Sequence, residues 1–350
     1  MKRIFLAVFF YIIHTSLFAK TVLVTGGAGF IGSHVAQSLL TRGDTVIIID
    51  NLNDSCDVRI KKKNLEEVIQ LDKQNNLTVY IADICDQEKM DEIFGMHAPD
   101  VICHLAARAG VRGSIGDPVD YMQSNIIGTT VLLEMAQKYK VPHVVYASSS
   151  SVYGSRENGP FFESDHVEKQ SSPYGMSKCA CELLAQVYYH LYGITCTGLR
   201  FFTVYGPRGR VDMAPFIFMD AIAREKRINI FGDGSVIRDF TYVDDIVDGV
   251  IKSIDRPIGC QTLNLGRGEP TILSNFIKTL EVIIGKKAIL NYTNAIIGDV
   301  PLTHADISKA KELIGYAPKI SVKEGLENMW KWYETFLYFN RDVRCYDLEV

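Results

Sequence analysis

A glycine-rich loop near the start of the chain most constrains what it can fold into. The apolar run Thr21-Val-Leu-Val-Thr25 leads directly into Gly26-Gly-Ala-Gly-Phe-Ile-Gly32, and residues 33–40 follow with helical periodicity. Strand, glycine loop and helix in this order are typical of dinucleotide binding: the first glycine makes the tight turn, the second lets the backbone approach a pyrophosphate, and the third packs helix on strand. The free N–H groups at the helix N-terminus would meet the pyrophosphate.

The next strand supplies a second marker of the cofactor. Thr45-Val-Ile-Ile-Ile-Asp50 is strongly apolar and ends in an acid at the place where an adenosine ribose is expected. A carboxylate there binds ribose hydroxyls and repels a 2′-phosphate, because like charges at close range disfavour each other. The sequence therefore predicts NAD rather than NADP.

Strands and helices alternate through the first 200 residues. Further strand-like runs cover residues 77–82, 101–105, 143–147 and 195–201, and helical patterns separate them at residues 64–71, 87–94, 121–139 and 174–192. Regular alternation predicts an α/β fold, a Rossmann-type doubly wound parallel sheet with helices on both faces. Ligands bind such sheets at the carboxyl ends of the strands. Asp83, the Ala106-Ala107 turn and Ser148–Ser151 are expected there.

The pattern changes after Phe202, where a turn-rich basic loop begins. We predict a NAD-binding Rossmann domain from residues 20–202, completed by a return segment at about 241–265. A smaller, interleaved α/β substrate domain is predicted from residues 203–240 and 266–350. Its helices are expected near residues 214–224, 274–284, 306–313 and 322–339, with another at 244–254 in the return segment.

Composition excludes several classes of function. The chain has 350 residues, is 47% hydrophobic and carries a net charge of −4, without a basic block that would favour nucleic acid. Its eight cysteines and eight histidines are dispersed without metal-ligand spacing. We therefore predict no metal site and no nucleic-acid partner.

Residues 1–19 have the layout of a secretory signal or a membrane anchor. A short basic start precedes the apolar run Ile4–Ile13, and Ala19 could end a cleavage site. Against export, Leu17 is unusual at the third position before cleavage. The two interpretations are a retained extension of a cytoplasmic protein, slightly favoured, and an exported or anchored one. Membrane contact is predicted only through residues 1–19.

A candidate catalytic pair lies in the middle of the chain. Tyr174 and Lys178 stand four residues apart at the start of a predicted helix, so that their side chains share one face. An ammonium beside a phenol favours the phenolate, and a phenolate is a general base. The pair predicts proton transfer at a substrate hydroxyl.

These motifs together resemble those of the extended short-chain dehydrogenases/reductases that epimerise nucleotide sugars. The resemblance runs from about Thr21 to about Leu313. Within that family the UDP-glucuronate 4-epimerases match further, through the following stretches: Asp50–Asp54, Ala109–Arg112, Ala147–Gly154, Arg200–Pro207, Gly209–Met213 and Gly298–Pro301. This chain departs from the usual residues at three positions, with Arg108 for Gln, Gly113 for Tyr and Arg208 for Trp.

The resemblance implies a reaction and catalytic roles. Tyr174 takes the proton from the sugar O4 hydroxyl as the C4 hydride moves to NAD⁺, Lys178 holds the phenolate, and Ser149 bridges O4 and the phenol. The 4-keto sugar then rotates and the hydride returns to its other face. Dehydratases and decarboxylases of this group carry carboxylates just after the catalytic hydroxyl, where this chain has Ser150 and Ser151. The implied reaction is therefore 4-epimerisation of a UDP-sugar, UDP-glucuronate to UDP-galacturonate.

The same resemblance implies the binding residues. Cofactor contacts are expected from Gly26, Gly29, Phe30, Ile31, Gly32, Asp50, Asn51, Asp83, Ile84, Ala106, Ala107, Asn125, Tyr174 and Lys178. Substrate contacts are expected from Ser149, Ser150, Thr203, Arg210, Arg238, Asp299 and Arg112. Among these, Arg238 is assigned to the UDP phosphates, Asp299 to the uridine ribose and Arg210 to the uronate carboxylate, which a bidentate arginine suits.

Two other functions stay open at this point. One is a 4-epimerase of a neutral or N-acetylated UDP-sugar, in which Arg210 would bind no carboxylate. The other is an NAD-binding scaffold without catalysis, against which Ser149, Tyr174 and Lys178 argue. A homodimer is also expected, because the helices at 121–139 and 174–192 carry more apolar surface than one sheet face needs, and the family pairs them across a two-fold axis.

Overall fold

The computed structural model describes residues 19–54, 57–294 and 300–339. The strands are β1 Thr21–Thr25, β2 Thr45–Asp50, β3 Leu77–Ile81, β4 Val101–His104, β5 His143–Ser149, β6 Thr195–Phe201, β7 Thr203–Tyr205, β8 Arg227–Phe231, β9 Ile237–Arg238, β10 Phe240–Tyr242, β11 Cys260–Leu265, β12 Thr271–Ile272 and β13 Ile289–Thr293.

The helices alternate with these strands. They are α1 Phe30–Arg42, α2 Val58–Leu71, α3 Gln87–His97, α4 Val111–Gly116, α5 Pro118–Met122, α6 Gly128–Lys138, α7 Pro173–Tyr192, α8 Ala214–Ala223, α9 Val243–Asp255, α10 Leu273–Ile284, α11 Ser308–Ile314 and α12 Val322–Phe339. A π-helical segment, Gln123–Ile127, joins α5 to α6, and a 3₁₀ turn, Ser150–Tyr153, follows β5.

Seven parallel strands form the main sheet, in the order β11-β6-β5-β4-β1-β2-β3. The predicted α/β fold class is confirmed. Strand β11, at the end of the predicted return segment, joins the edge of the sheet beside β6. Strand order reverses between β1 and β4, which pair in register. Such a reversal opens a crevice at the carboxyl ends of the strands, where ligands of these folds bind.

The strands are apolar along their whole length because both faces of the sheet are covered. In β1, Val22 and Val24 belong to one hydrophobic cluster and Leu23 to the other, and all three are fully buried. Helix α1 packs on the first cluster through Val35 and Leu39. Burial of both faces fixes the register of the strand that carries the glycine loop.

The remaining strands form small separate pairs. β8 pairs with β13 and β10 with β7, both parallel, while β12 and β9 are antiparallel. The rings of Phe240 and Phe276 stack at 4.0 Å between centroids and fix helix α10 against β10. Residues of β7, β8, β9 and β10 line the crevice.

Helix α2 and strand β13 differ from the prediction. Helix α2 begins at Val58, well before the predicted start at Asn64, because the Asp57 side chain caps it by accepting a hydrogen bond from Arg59 N. Strand β13 was not predicted, since its side chains are mostly exposed and lack an alternating pattern.

The described residues contain neither a membrane-spanning helix nor a cluster of metal ligands. None of the helices there is long and apolar enough to cross a membrane. No group of three or more histidine, cysteine or acidic side chains in that part of the chain is placed to hold a metal ion. Residues 1–18 and the predicted substrate residue Asp299 lie outside the described ranges.

Candidate active site

A cleft of about 1000 Å³ opens at the carboxyl ends of the main-sheet strands and continues to β8 and β9. Most of the predicted site residues line it: Gly26, Gly29, Phe30, Ile31, Gly32, Asp50, Asn51, Ile84, Ala106, Ala107, Arg112, Ser149, Ser150, Tyr174, Lys178, Thr203, Arg210 and Arg238. The fold thus brings distant segments of the chain to one surface. Asp83 and Asn125 do not contribute to its wall.

The glycine loop has the geometry of a phosphate cradle. Gly26 has φ +70° and its N–H donates to Ile49 O at 2.7 Å, which ties the turn to β2. A Cβ on Gly32 would lie 2.1 Å from Gly26 O, so only glycine fits there. Gly29 begins α1 without a side-chain cap, and the N–H groups of the first helical turn are therefore available to an anion.

Asp50 ends β2 as predicted and is almost fully buried. Its carboxylate accepts hydrogen bonds from Ala28 N at 3.1 Å and Leu52 N at 2.9 Å, so it braces the glycine loop. Lys61 of α2 has its Nζ 4.0 Å from Asp50 and lines the same part of the cleft. Lys61 was not predicted, because the run of cations at residues 59–63 reads as a solvated face.

Asp83 and Asn51 interact with each other at the edge of the cofactor region. Asn51 donates from Nδ2 to Asp83 Oδ2 at 2.8 Å, and Asp83 Oδ1 accepts from Cys85 N at 2.8 Å. Asp83 therefore orders the loop after β3, while Asn51 and Ile84 reach the cleft.

Asn125 lies in the π-helical segment, and both ends of its amide are engaged inside the protein. Its Oδ1 accepts from Arg108 N at 2.8 Å, and its Nδ2 donates to Arg108 O at 3.0 Å and to Ser177 Oγ at 2.9 Å. The residue ties the segment after β4 to helix α7. Its predicted contact with the cofactor stays a prediction.

The three predicted catalytic side chains meet where β5 ends and α7 begins. Ser172 caps α7 by accepting from Gly175 N at 3.0 Å, and Pro173 occupies the first turn, so Tyr174 is placed at the cleft. The Ser149 hydroxyl lies close enough to the Tyr174 hydroxyl to lower the pKa of that phenol. Lys178 donates from Nζ to Ala147 O at 2.8 Å.

The electrostatics differ from the expectation drawn from Tyr174 and Lys178 alone. Burial raises the pKa of Tyr174 above its ordinary value, while the hydrogen bond with Ser149 and the charge of Arg210 oppose that rise. Burial also lowers the pKa of Lys178. The expectation that the ammonium lowers the phenol pKa was wrong for the protein alone, because desolvation disfavours both charged forms.

Arg210 lies within electrostatic reach of Tyr174 but is already engaged. Its Nε and Nη2 bind the two carboxylate oxygens of Asp212 at 3.0 and 2.5 Å, and Nη1 donates to Ala109 O at 3.0 Å. A substrate carboxylate on Arg210 must share the guanidinium with Asp212 or displace it. Sequence reasoning missed Asp212, although it stands in the same Gly-Arg-x-Asp-Met stretch.

The remaining predicted substrate residues border the far end of the cleft. Arg238 lines it and donates from Nη1 to the carbonyl of Ile237 at 3.0 Å. Arg112 packs its guanidinium over the ring of Phe231, 4.6 Å from the centroid. Both cations thus lie near β8 and β9.

The three departures from the family's usual residues have structural consequences. Gly113 makes room for the Tyr121 hydroxyl, since a Cβ there would lie 2.7 Å from it. Tyr121, also missed from sequence, packs edge-on against the Tyr174 ring at 6.1 Å. Arg108 pairs with Asp120.

Arg208 is the third departure and sits in the cleft wall. It binds Glu67 of α2 through Nε at 2.9 Å and Nη2 at 2.8 Å. Its Nη1 is buried and has no hydrogen-bond partner among the described residues. Such an unpaired donor costs about 1–3 kcal/mol.

Fold and site together define the class of protein: an α/β dinucleotide-binding enzyme with a serine, a tyrosine and a lysine side chain in the same cleft. NAD fits the residues present. The glycine loop leaves no room for side chains where a diphosphate must approach, and Asp50 lies where a ribose is expected. Both the loop and the catalytic residues line one cleft.

Comparison with known proteins agrees with this class. A family model described as NAD dependent epimerase/dehydratase family matches residues 22–266, and the chain belongs to that family. A UDP-glucuronate 4-epimerase of Thermodesulfobacterium geofontis is 46% identical over 89% of this chain and 95% of the relative.

Solved structures are similar over nearly the whole described chain. A UDP-glucuronic acid 4-epimerase from Bacillus cereus, in complex with UDP-glucuronic acid and NAD, has a TM-score of 0.85 and 36% identity over 90% of this chain and 99% of its own. A UDP-glucose 4-epimerase with UDP-glucose from Thermotoga maritima has a TM-score of 0.82 and 35% identity over 91% and 99%.

Proposed function

We propose that this chain is an NAD-dependent isomerase that interconverts UDP-glucuronate and UDP-galacturonate by inversion at C4. The observation that carries the proposal is the Ser149–Tyr174–Lys178 arrangement in one cleft with the glycine loop. The identity to relatives named UDP-glucuronate 4-epimerase supports the sugar assignment. In this proposal, residues 20–202 with about 241–265 bind NAD, and residues 203–240 and 266–350 bind the UDP-sugar.

Bound NAD supplies the acceptor and donor of the C4 hydride and a positive charge in the cleft. Tyr174 removes the O4 proton and later returns it, while Ser149 holds the phenol by their hydrogen bond. Lys178 lies one helical turn after Tyr174 and donates a hydrogen bond to Ala147 O. This bond holds Lys178 in the cleft that Ser149 and Tyr174 also line. Without an added positive charge Tyr174 keeps its proton at neutral pH, because burial raises its pKa.

Ser150 and Ser151 favour epimerisation over elimination or decarboxylation. Both follow Ser149 in the 3₁₀ turn, and neither provides a carboxylate that could move a proton at C5. Ser148 is structural, since its hydroxyl donates to the buried Glu182 at 2.6 Å.

Arg210 is proposed to recognise the uronate carboxylate, in competition with Asp212 for the guanidinium. It already influences the electrostatics of Tyr174, so a carboxylate bound there would lie next to the reacting C4–O4 group. The resemblance assigns Arg238 and Asp299 to the UDP moiety, and we retain both as proposals.

Product analysis tests the sugar assignment. Purified protein without added NAD is incubated separately with UDP-glucuronate and UDP-glucose, and products are resolved by chromatography. UDP-galacturonate from the first incubation and no product from the second is the expected result. Conversion of UDP-glucose alone would contradict the role of Arg210, and a pentose product with CO₂ would contradict the argument from Ser150 and Ser151.

We also propose a homodimer formed through α7 and the helix that runs from α5 to α6. Leu183, Val187 and Leu191 make an apolar stripe along α7 at helical spacing, and they are 61%, 48% and 60% exposed. A second copy would bury this stripe. Sedimentation equilibrium of Leu183→Asp should give the monomer mass, while Val282→Asp, at a position 77% exposed on α10, should keep the dimer. A wild-type monomer would contradict the proposal.

For localisation we retain the cytoplasmic interpretation of residues 1–19, with Leu17 as its basis. Mass spectrometry of the N-terminal peptide from cells tests it. A chain that begins at Met1 is expected and means a retained extension or an anchor, and one that begins at Lys20 would contradict the cytoplasmic interpretation.

A further inference from the structure

Arg208 has a backbone conformation and a set of contacts that a solvated loop arginine does not need. It has φ +59°, in the left-handed region that non-glycine residues rarely adopt. Its carboxylate partner Glu67 lies 141 residues away on α2. The side chain thus connects the loop after β7 to a helix of the cofactor-binding sheet.

The residues on either side of Arg208 place it over the glycine loop. The ring nitrogen Nε2 of His34 on α1 forms a hydrogen bond with Pro207 O at 3.0 Å. On the other side, a Cβ at Gly209 would lie 3.9 Å from the ring of Phe30, which belongs to the glycine loop itself. Arg208 therefore lines the end of the cleft where the fingerprint expects a diphosphate.

The Nη1 group of Arg208 is left without a partner among the described residues. Glu67 accepts from Nε and Nη2, whereas Nη1 is buried without an acceptor among the residues that the structure describes. A buried guanidinium N–H favours an anionic oxygen, and phosphate oxygens fit its geometry best.

We propose that Arg208 donates from Nη1 to the diphosphate of bound NAD and thereby holds the loop after β7 closed over the cofactor. The inference rests on the NAD dependence of the proposed function and deepens it. The family's usual tryptophan at this position has no equivalent charge. Arg208 is thus a cofactor-retention residue at a position where the resemblance expects tryptophan.

The test measures cofactor binding rather than turnover. Dissociation constants for NAD, ADP-ribose and adenosine are measured by calorimetry on protein stripped of nucleotide, together with the NAD content of the protein as purified. Arg208→Met should weaken NAD and ADP-ribose about tenfold, equivalent to about 1.4 kcal/mol. Adenosine, which has no phosphate, should change less than about twofold on the same scale.

Two further variants separate a direct contact from a brace. Arg208→Trp carries the family's usual residue and should fold, so it must reproduce the loss seen with methionine. Glu67→Ala removes the ion pair but leaves the arginine, and it should weaken NAD much less than Arg208→Met. Equal losses in Glu67→Ala and Arg208→Met, or unchanged NAD affinity in both Arg208 variants, would overturn the proposal. Since no sugar is present, failure of the proposed epimerisation would be seen separately.

Discussion

Tyr174 is the residue whose chemistry depends most on its surroundings. Its hydroxyl is held by Ser149, its ring packs on Tyr121, and the charge of Arg210 opposes the effect of burial on its pKa. Removal of the hydroxyl therefore removes a proton-transfer group without creating a large cavity.

Tyr174→Phe should lower kcat with UDP-glucuronate about a thousandfold, the usual size of a general acid–base contribution. UDP-sugar affinity and NAD content should be nearly unchanged, because the ring and Lys178 remain. Tyr121→Phe is the matched control: its hydroxyl donates only to Ala109 O, and activity should fall less than about tenfold. Equal losses in both variants would contradict a specific role of the Tyr174 hydroxyl.

Arg210 and Asp212 offer a second test, directed at the substrate. Arg210→Ala should lower kcat/KM for UDP-glucuronate about ten- to a hundredfold, since a hydrogen-bonded charge is lost. Asp212→Asn relaxes the competing ion pair and should raise affinity for UDP-glucuronate. Steady-state kinetics with both variants check this; a lower affinity in Asp212→Asn would show that Asp212 positions Arg210 rather than competes with the substrate.

Individual site residues were predictable only in part. Their spacing predicted that Tyr174 and Lys178 lie on one helix face, and both line the cleft. Spacing does not show that Tyr174 is buried, so the predicted direction of its pKa shift was wrong. It also does not show that the Asp212 carboxylate binds the guanidinium of Arg210. Such facts depend on neighbours that the fold supplies.

The glycine loop and helix α1 act as one element. Gly32→Ala places a Cβ 2.1 Å from Gly26 O and must push the loop out of its turn. We expect the purified variant to contain no NAD and to show no activity at cofactor levels that saturate the wild type. Gly116→Ala, where a Cβ meets nothing within 4 Å, should retain NAD. NAD content after denaturation measures both, and a Gly32→Ala protein with full NAD would contradict the cradle geometry.

Elements with strong periodicity were predicted well, and those fixed by a few side chains were not. Strands β1, β2, β4 and β5 follow from apolar runs buried on both faces. The start of α2 depends on the Asp57 cap inside a charged run, and β13 depends on pairing with β8, far away in the chain.

Buried neutral histidines make the stability of the whole molecule depend on pH. His104 lies between Thr25 Oγ1 at 2.8 Å and Thr129 Oγ1 at 3.0 Å, and burial lowers its pKa to about 3. In the unfolded chain the same group titrates near 6.5. Between these values the unfolded state binds the proton and the native state does not, so stability falls as the pH falls from 7 toward 3.

At pH 5 this histidine should account for about 2 kcal/mol of lost unfolding free energy relative to pH 7. Urea unfolding at both pH values measures it, with His104→Asn as the comparison. The variant should lose about 2 kcal/mol less than the wild type over the same pH interval. Equal pH dependence of the two proteins would contradict a neutral buried His104.

The architecture as a whole was the easiest part to predict, because alternation of strands and helices leaves few topologies. Contacts across the cleft were not predictable, and Arg208 with Glu67 is the clearest case. Glu67 lies in a predicted helix and Arg208 in a predicted loop, and only the folded chain brings the loop after β7 onto α2.

The most direct test of the proposed reaction follows the hydrogen on C4. UDP-glucuronate carrying deuterium at C4 is incubated with the protein as purified in ordinary water, and the UDP-galacturonate formed is analysed by mass spectrometry and NMR. If the C4 hydride leaves and returns within one cleft while Tyr174 handles only the O4 proton, the product keeps its deuterium at C4. Loss of the label to solvent, or its transfer to another carbon, would contradict the reaction proposed for this site.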